Sequence, residues 1–72
     1  MKNENWDDLK LFLHVAREGG LTGASEKTGA SPATIGRRLL ALERQMGRNF
    51  FIRRQTGYSL TKDGQALLTH VL

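Results

Sequence analysis

Apolar residues recur along this chain at helical spacing in three places. On a wheel of about 100° per residue, Trp6, Leu9, Phe12, Leu13 and Ala16 gather on one side, and Leu11 and Val15 widen the arc. Asp7, Lys10, His14 and Arg17 keep to the opposite side. A first helix follows, capped by Asn5 with Asp7 and Asp8 near the positive end of its dipole, and closed by Gly19-Gly20. So broad an apolar arc predicts burial on two sides, with Trp6 and Phe12 in the core. Ile35, Leu39, Leu42 and Met46 form a narrower stripe, opposite Ala33, Arg37 and Arg44. That helix opens at Ser31-Pro32, a capping hydroxyl followed by proline where its missing N–H costs nothing, and stops at Gly47. Between the two lies a short helix from a Thr22 cap to Thr28, ended by Gly29. Its Gly23, Ala24 and Ser25 fill little space, so it is expected to sit pinned closely between its neighbours.

After Gly47 the period changes. Phe50-Phe51-Ile52-Arg53 and Tyr58-Ser59-Leu60 are short β-favouring runs around the polar connector Arg54-Gln55-Thr56-Gly57, a pattern that predicts a hairpin containing Phe50 and Phe51 as core residues. Thr61 can cap a fourth helix whose Ala66, Leu67, Leu68, Val71 and Leu72 form an apolar surface; no terminating residue follows, as though the chain stopped within that helix. The expected architecture is mainly α with a small β-hairpin: a three-helix core, a two-stranded wing and the start of a fourth, linker helix. The expected division is residues 1–60 as the winged unit and 61–72 as the beginning of a linker or dimerisation helix. Leu40 falls outside the buried stripe, facing the wing or a partner.

Charge sharpens the picture through its distribution. The net charge is +4, yet residues 1–30 are close to neutral, whereas 31–58 hold Arg37, Arg38, Arg44, Arg48, Arg53 and Arg54 against Glu43 alone. An excess made only of arginine suits phosphate oxygens and guanine edges, because the planar guanidinium offers paired donors. Two helices joined by a tight Gly29-Ala30 turn match the helix-turn-helix plan. Such a helix enters a DNA major groove only if its leading residues are slim, and Pro32, Ala33, Thr34 and Gly36 are. Arg37, one turn beyond Ala33, is placed to reach a guanine. Ser31, Thr22, Arg38, Arg53 and Arg54 are the candidates for phosphate or wing contacts. For Arg53 and Arg54, protection of an exposed strand edge is an equal alternative, and Arg44 and Arg48 read as solvated charges.

Other chemistries find little support. The chain has no cysteine, and His14 and His70 lack partners at ligand spacing, so no metal or cofactor is expected. No Ser, His and acid set has activating neighbours, and 72 residues give little room for a water-excluding pocket, so an enzyme is not expected. Gly19-Gly20-Leu21-Thr22-Gly23 lacks the preceding strand and following lysine of a phosphate-binding loop. With no apolar run long enough to span a bilayer and no signal-like start, no membrane partner and a cytoplasmic location are expected. A second reading, as a protein-interaction module working through residues 66–72 and the broad face of the first helix, is disfavoured by the central arginines.

The order of these motifs resembles the N-terminal domain of LysR-type transcriptional regulators over about residues 6 to 72. Leu9-Lys10-Leu11-Phe12 with Val15-Ala16, and Gly20 through Ser25, are similar to its first two helices. Ser31 through Leu39, then Leu42-Glu43 and Gly47, resemble its recognition helix; Phe50 through Arg53 and Leu60 through Gly64 resemble its wing and linker helix. Gly36 stands where the family usually has serine, Gly23 and Ser25 replace commoner arginine and alanine, and Leu40 and Ala41 lack charges often found there. The resemblance implies sequence-specific binding of double-stranded DNA. It also implies homodimerisation through the C-terminal helix, here Ala66, Leu67 and Val71, and an effector-binding domain beyond this chain.

Overall fold

A computed structural model describes residues 3–71, with side chains described from Trp6 onward. Four helices and one hairpin follow in the order α1 (Asn3–Glu18), α2 (Leu21–Thr28), α3 (Pro32–Met46), β1 (Phe51–Arg54), β2 (Gly57–Leu60) and α4 (Lys62–Val71). Helix α1 begins at Asn3, so Asn5 lies inside it and is not its cap, and Asp7 and Asp8 fall in the second turn, where the dipole has largely faded. Gly19 closes α1 at φ 78°, donating its N–H to the Val15 carbonyl at 2.8 Å. Gly20 then runs extended and serves as the N-cap of α2, without any side-chain hydrogen bond. Thr22 is therefore not a cap: the helix has already started at Leu21, leaving the Thr22 side chain on the surface.

Small residues set the spacing of α2. Ala24 is fully buried, and a Cβ on Gly23 would stand 2.7 Å from the Glu18 Cβ, so the helix lies closer to the end of α1 than a larger residue permits. Gly29 ends α2 in the left-handed conformation. Ser31 then caps α3 as expected, its Oγ accepting from Thr34 N at 3.2 Å with Pro32 in the first turn. Gly47, also left-handed, stops α3.

The core unites Leu11, Phe12 and Val15 of α1, Ala24 of α2, Ile35, Leu39 and Leu42 of α3, and Phe50 and Phe51 at the hairpin. Phe12 is its centre, meeting Phe50 edge-on at 5.8 Å between ring centroids and Phe51 at 5.3 Å, in geometries that suit the ring quadrupoles. Two residues expected inside are outside: Trp6 is 55% exposed and Met46 46%. Both lie at helix ends, where the apolar arc runs past the reach of the neighbouring element.

The antiparallel hairpin pairs Phe51 with Leu60 and Arg54 with Gly57, so only Gln55 and Thr56 connect the strands. Compared with the sequence expectation the first strand is shifted by one residue, leaving Phe50 in the approach and drawing Arg54 into the ladder. The hairpin leans on the α1–α2 corner: Tyr58 N donates to the Gly19 carbonyl at 2.9 Å, and a Cβ on Gly57 would come within 2.7 Å of the same oxygen. Thr61 caps α4 through its Oγ1, which accepts from Gly64 N at 2.9 Å and donates to the Asn49 carbonyl at 2.6 Å. Leu67, Leu68 and Val71 of α4 pack, half-buried, against the core. No described helix is long and apolar enough to cross a membrane.

Candidate nucleic-acid interface

The leading end of α3 is slim and open. Pro32, Ala33 and Arg37 are exposed, Thr34 and Gly36 half-buried, and all five belong to the first two turns. Ser31 Oγ donates to Thr34 Oγ1 at 2.9 Å while accepting from Thr34 N, so its hydroxyl proton is already used. The proton of Thr34 is the one left to give outward. A Cβ on Gly36 would meet only Leu21 Cδ1, at 3.5 Å, so space for the usual serine exists there.

The six central arginines divide into two groups. Arg38 Nε donates to Asp8 Oδ1 of α1 at 2.9 Å, and Arg48 Nη1 to Asp63 Oδ1 of α4 at 3.1 Å. Arg53 Nη2 donates to Glu43 Oε1 at 2.9 Å, and its guanidinium carbon lies 5.3 Å over the Tyr58 ring. Arg37, Arg44 and Arg54 are exposed and have no ion pair among the described residues. Of these six arginines, the ones free to meet a polyanion are thus one on the reading face of α3, one two turns behind it, and one at the hairpin tip.

Arg53, a candidate either for a phosphate contact or for protection of the strand edge, is held against α3 by its ion pair. The residue that holds it, Glu43, was passed over in the sequence as the only acid opposing six arginines. Its signal lay in the wheel: Glu43 is one turn beyond Leu39 and about 40° from it, on the flank of the buried stripe, where a carboxylate must find partners. Glu43 is 5% exposed, and Oε2 accepts from Phe50 N at 2.7 Å and Phe51 N at 3.2 Å. Removing Glu43 would leave the buried Phe50 and Phe51 amides without their acceptor, a loss of about 1–3 kcal/mol.

Thr22 and Arg54 come together on the walls of an open cleft between the α1–α2 corner and the hairpin turn. Elsewhere on the surface, Leu67 and Val71 line an apolar groove with Leu9, Leu42 and Met46, while Ala66 stays exposed beside it. No cluster of histidine, cysteine or acidic residues suited to a metal ion occurs among the described residues.

Residues 6–65 match the family model of the bacterial regulatory helix-turn-helix proteins of the lysR family. The chain belongs to the LysR family. Among curated relatives, it is 35% identical over 63 residues to the uncharacterised HTH-type transcriptional regulator YusT of Bacillus subtilis, covering 88% of this chain and 21% of that protein. It is 33% identical over 60 residues to the HTH-type transcriptional regulator IlvY of Escherichia coli, covering 83% and 20%. The chain thus spans about a fifth of the length of these curated relatives. Its fold superposes on a crystal structure of the DNA-binding domain of CbnR in complex with DNA at a TM-score of 0.86, with 33% identity, 89% of this chain and 74% of that one covered. The full-length virulence activator AphB of Vibrio cholerae gives a TM-score of 0.84 with 36% identity, covering 89% of this chain and 22% of AphB. The four helices and hairpin are the winged helix-turn-helix of this family's DNA-binding domains.

Proposed function

We propose that this LysR-family chain binds double-stranded DNA sequence-specifically, as the DNA-binding domain of a transcriptional regulator, with α3 in the major groove and the hairpin along the backbone or minor groove. The observation that carries the reading is the exposed, unpaired Arg37 directly behind the slim lead of Pro32, Ala33, Thr34 and Gly36. Those five residues form the base-reading face, with Arg37 donating to a guanine edge and Thr34 to a base or phosphate. Arg54 and Thr22, sharing a cleft, hold the phosphate backbone beside the wing. Ser31 contributes through the helix terminus it caps, and Arg38 is a phosphate ligand in reserve while Asp8 holds it. Arg53 is reassigned from phosphate contact to support of the wing. The chemistry is binding alone, without catalysis or cofactor, in the cytoplasm.

Residues 1–60 form the reading unit, and α4 begins a linker along which two copies associate through Ala66, Leu67 and Val71, an exposed or half-buried apolar edge. A symmetric pair places its half-sites about 34–36 Å apart, or at multiples of one helical turn. Selection of bound sequences from a random duplex pool tests the whole reading. Enrichment of a motif with two-fold symmetry supports it. Failure to enrich any sequence, with no salt-steep affinity for random DNA, rejects it.

A further inference from the structure

Glu43 joins the helix that reads bases to the strand that leads into the wing. Oε2 of its buried carboxylate takes the N–H groups of Phe50 and Phe51, at 2.7 and 3.2 Å, and Arg53 donates to both oxygens, Nη2 to Oε1 at 2.9 Å and Nη1 to Oε2 at 3.3 Å. Beyond this the linkage continues. The Arg53 guanidinium lies over the rings of Phe51 and Tyr58, Tyr58 packs edge-on against Phe51 with centroids 5.4 Å apart, and Tyr58 N is bonded to the Gly19 carbonyl. One carboxylate on α3 therefore reaches both strands of the hairpin and, through them, the corner where α2 begins. Every contact in the series is a directional bond or a ring packing, so the hairpin has one attitude relative to α3.

We infer that Glu43 is a positioning residue for DNA binding: anchored on the reading helix, it fixes the wing so that Arg54 meets the phosphate backbone while Arg37 is in the groove. The inference rests on the DNA-binding reading above and adds a residue that touches no DNA. Its signature is a matter of sign. Removing a negative charge from a DNA-binding surface ordinarily tightens binding, because one repulsion of the phosphates is lost. Removing Glu43 weakens binding, because a free wing no longer delivers Arg54.

The test compares the unaltered chain with Arg54→Ala, Glu43→Gln and the double variant. Affinity for a random-sequence duplex is measured across a salt series, and base preference on a panel of single-base variants of a selected site. Glutamine keeps the shape and one acceptor for the Phe50 and Phe51 amides, but it cannot bind the guanidinium through both oxygens. Arg54→Ala is expected to make the slope of log K against log salt shallower by about one. Glu43→Gln is expected to lower affinity and flatten the slope by a similar amount, although no cation has been removed, with preference at the Arg37 base pair unchanged. The double variant is expected to lose little more than either single one. Tighter or equal binding by Glu43→Gln, or full additivity in the double variant, overturns the inference. Should Arg54→Ala leave the slope unchanged while a site is still selected, the inference is overturned and the DNA-binding reading stands; faster amide exchange at Tyr58 in Glu43→Gln is expected beside the affinity loss, and unaltered protection also overturns the inference. Should Glu43→Gln not fold, Arg53→Leu, which leaves Glu43 its two backbone donors, takes its place in the same comparison, with non-additivity towards Arg54→Ala expected and additivity overturning the inference.

Discussion

Arg38 and Asp8 meet across 30 positions of the chain, the guanidinium Nε of one donating to the carboxylate of the other at 2.9 Å. The pair ties α3 to α1. Because the Arg38 side chain is 42% exposed, solvent screens the attraction, and the pair contributes below about 1 kcal/mol to stability. Asp8→Asn is therefore expected to shift the urea midpoint only slightly. It also releases a cation next to Arg37, so affinity for random DNA at low salt should rise in an anisotropy titration; a fall would contradict this assignment of Arg38.

Arg37 carries the base reading, and Arg37→Ala should cost about 1–3 kcal/mol on a selected site while relaxing preference at one base pair. A panel of single-base variants measures both. Equal weakening on every sequence would make Arg37 a phosphate clamp.

Two glycines inside helices should respond oppositely to alanine. At Gly64 a methyl group would collide with the Phe50 carbonyl oxygen and stand 2.9 Å from Leu60 Cδ2, so Gly64→Ala should destabilise the fold by about 1–3 kcal/mol. At Gly36 the nearest atom, Leu21 Cδ1, is at ordinary contact distance, and Gly36→Ala should stabilise α3 by about 0.5–1 kcal/mol through lower chain entropy. Denaturant unfolding of the two variants checks the pair, and equal signs would refute the packing argument.

Association along α4 is open to a substitution that leaves the fold alone. Ala66 is exposed beside the groove of Leu67 and Val71, so Ala66→Arg should leave thermal unfolding of dilute protein unchanged and abolish self-association at high concentration. Sedimentation equilibrium reads the second effect; an unaltered chain that stays monomeric throughout would remove α4 as the pairing element.

What the sequence disclosed, and what it hid, follows the range of the interactions concerned. Ser31-Pro32, Gly29 and Gly47 were legible because a cap or a left-handed turn is decided within four residues. The stripe of Ile35, Leu39 and Leu42 was legible because its period needs only one helix. Thr22 misled, because α2 starts two residues earlier, with Gly20 at its cap position and no side-chain hydrogen bond there to mark it. Trp6 and Met46 misled because amphipathicity says which face is apolar and not how far the cover extends. On α3 the outward direction of Ala33, Arg37 and Arg44 was legible from the wheel, and all three are exposed. The fates of Arg38, Arg48 and Arg53 were hidden, since each is set by an acid 10 to 30 residues distant that only the folded chain brings near; the Arg48–Asp63 pair spans 15.

Thr61 holds the root of α4 from both sides, giving its hydroxyl proton to Asn49 and taking the Gly64 amide, while its own N–H is bonded to the Phe50 carbonyl at 3.0 Å. Helix α4 therefore departs from the body at a locked angle, like an arm pinned at the shoulder. In an assembly paired along that arm, the distance between the two reading helices is a ruler calibrated at Thr61, and a change there would retune the operator spacing without touching a single residue that faces a base.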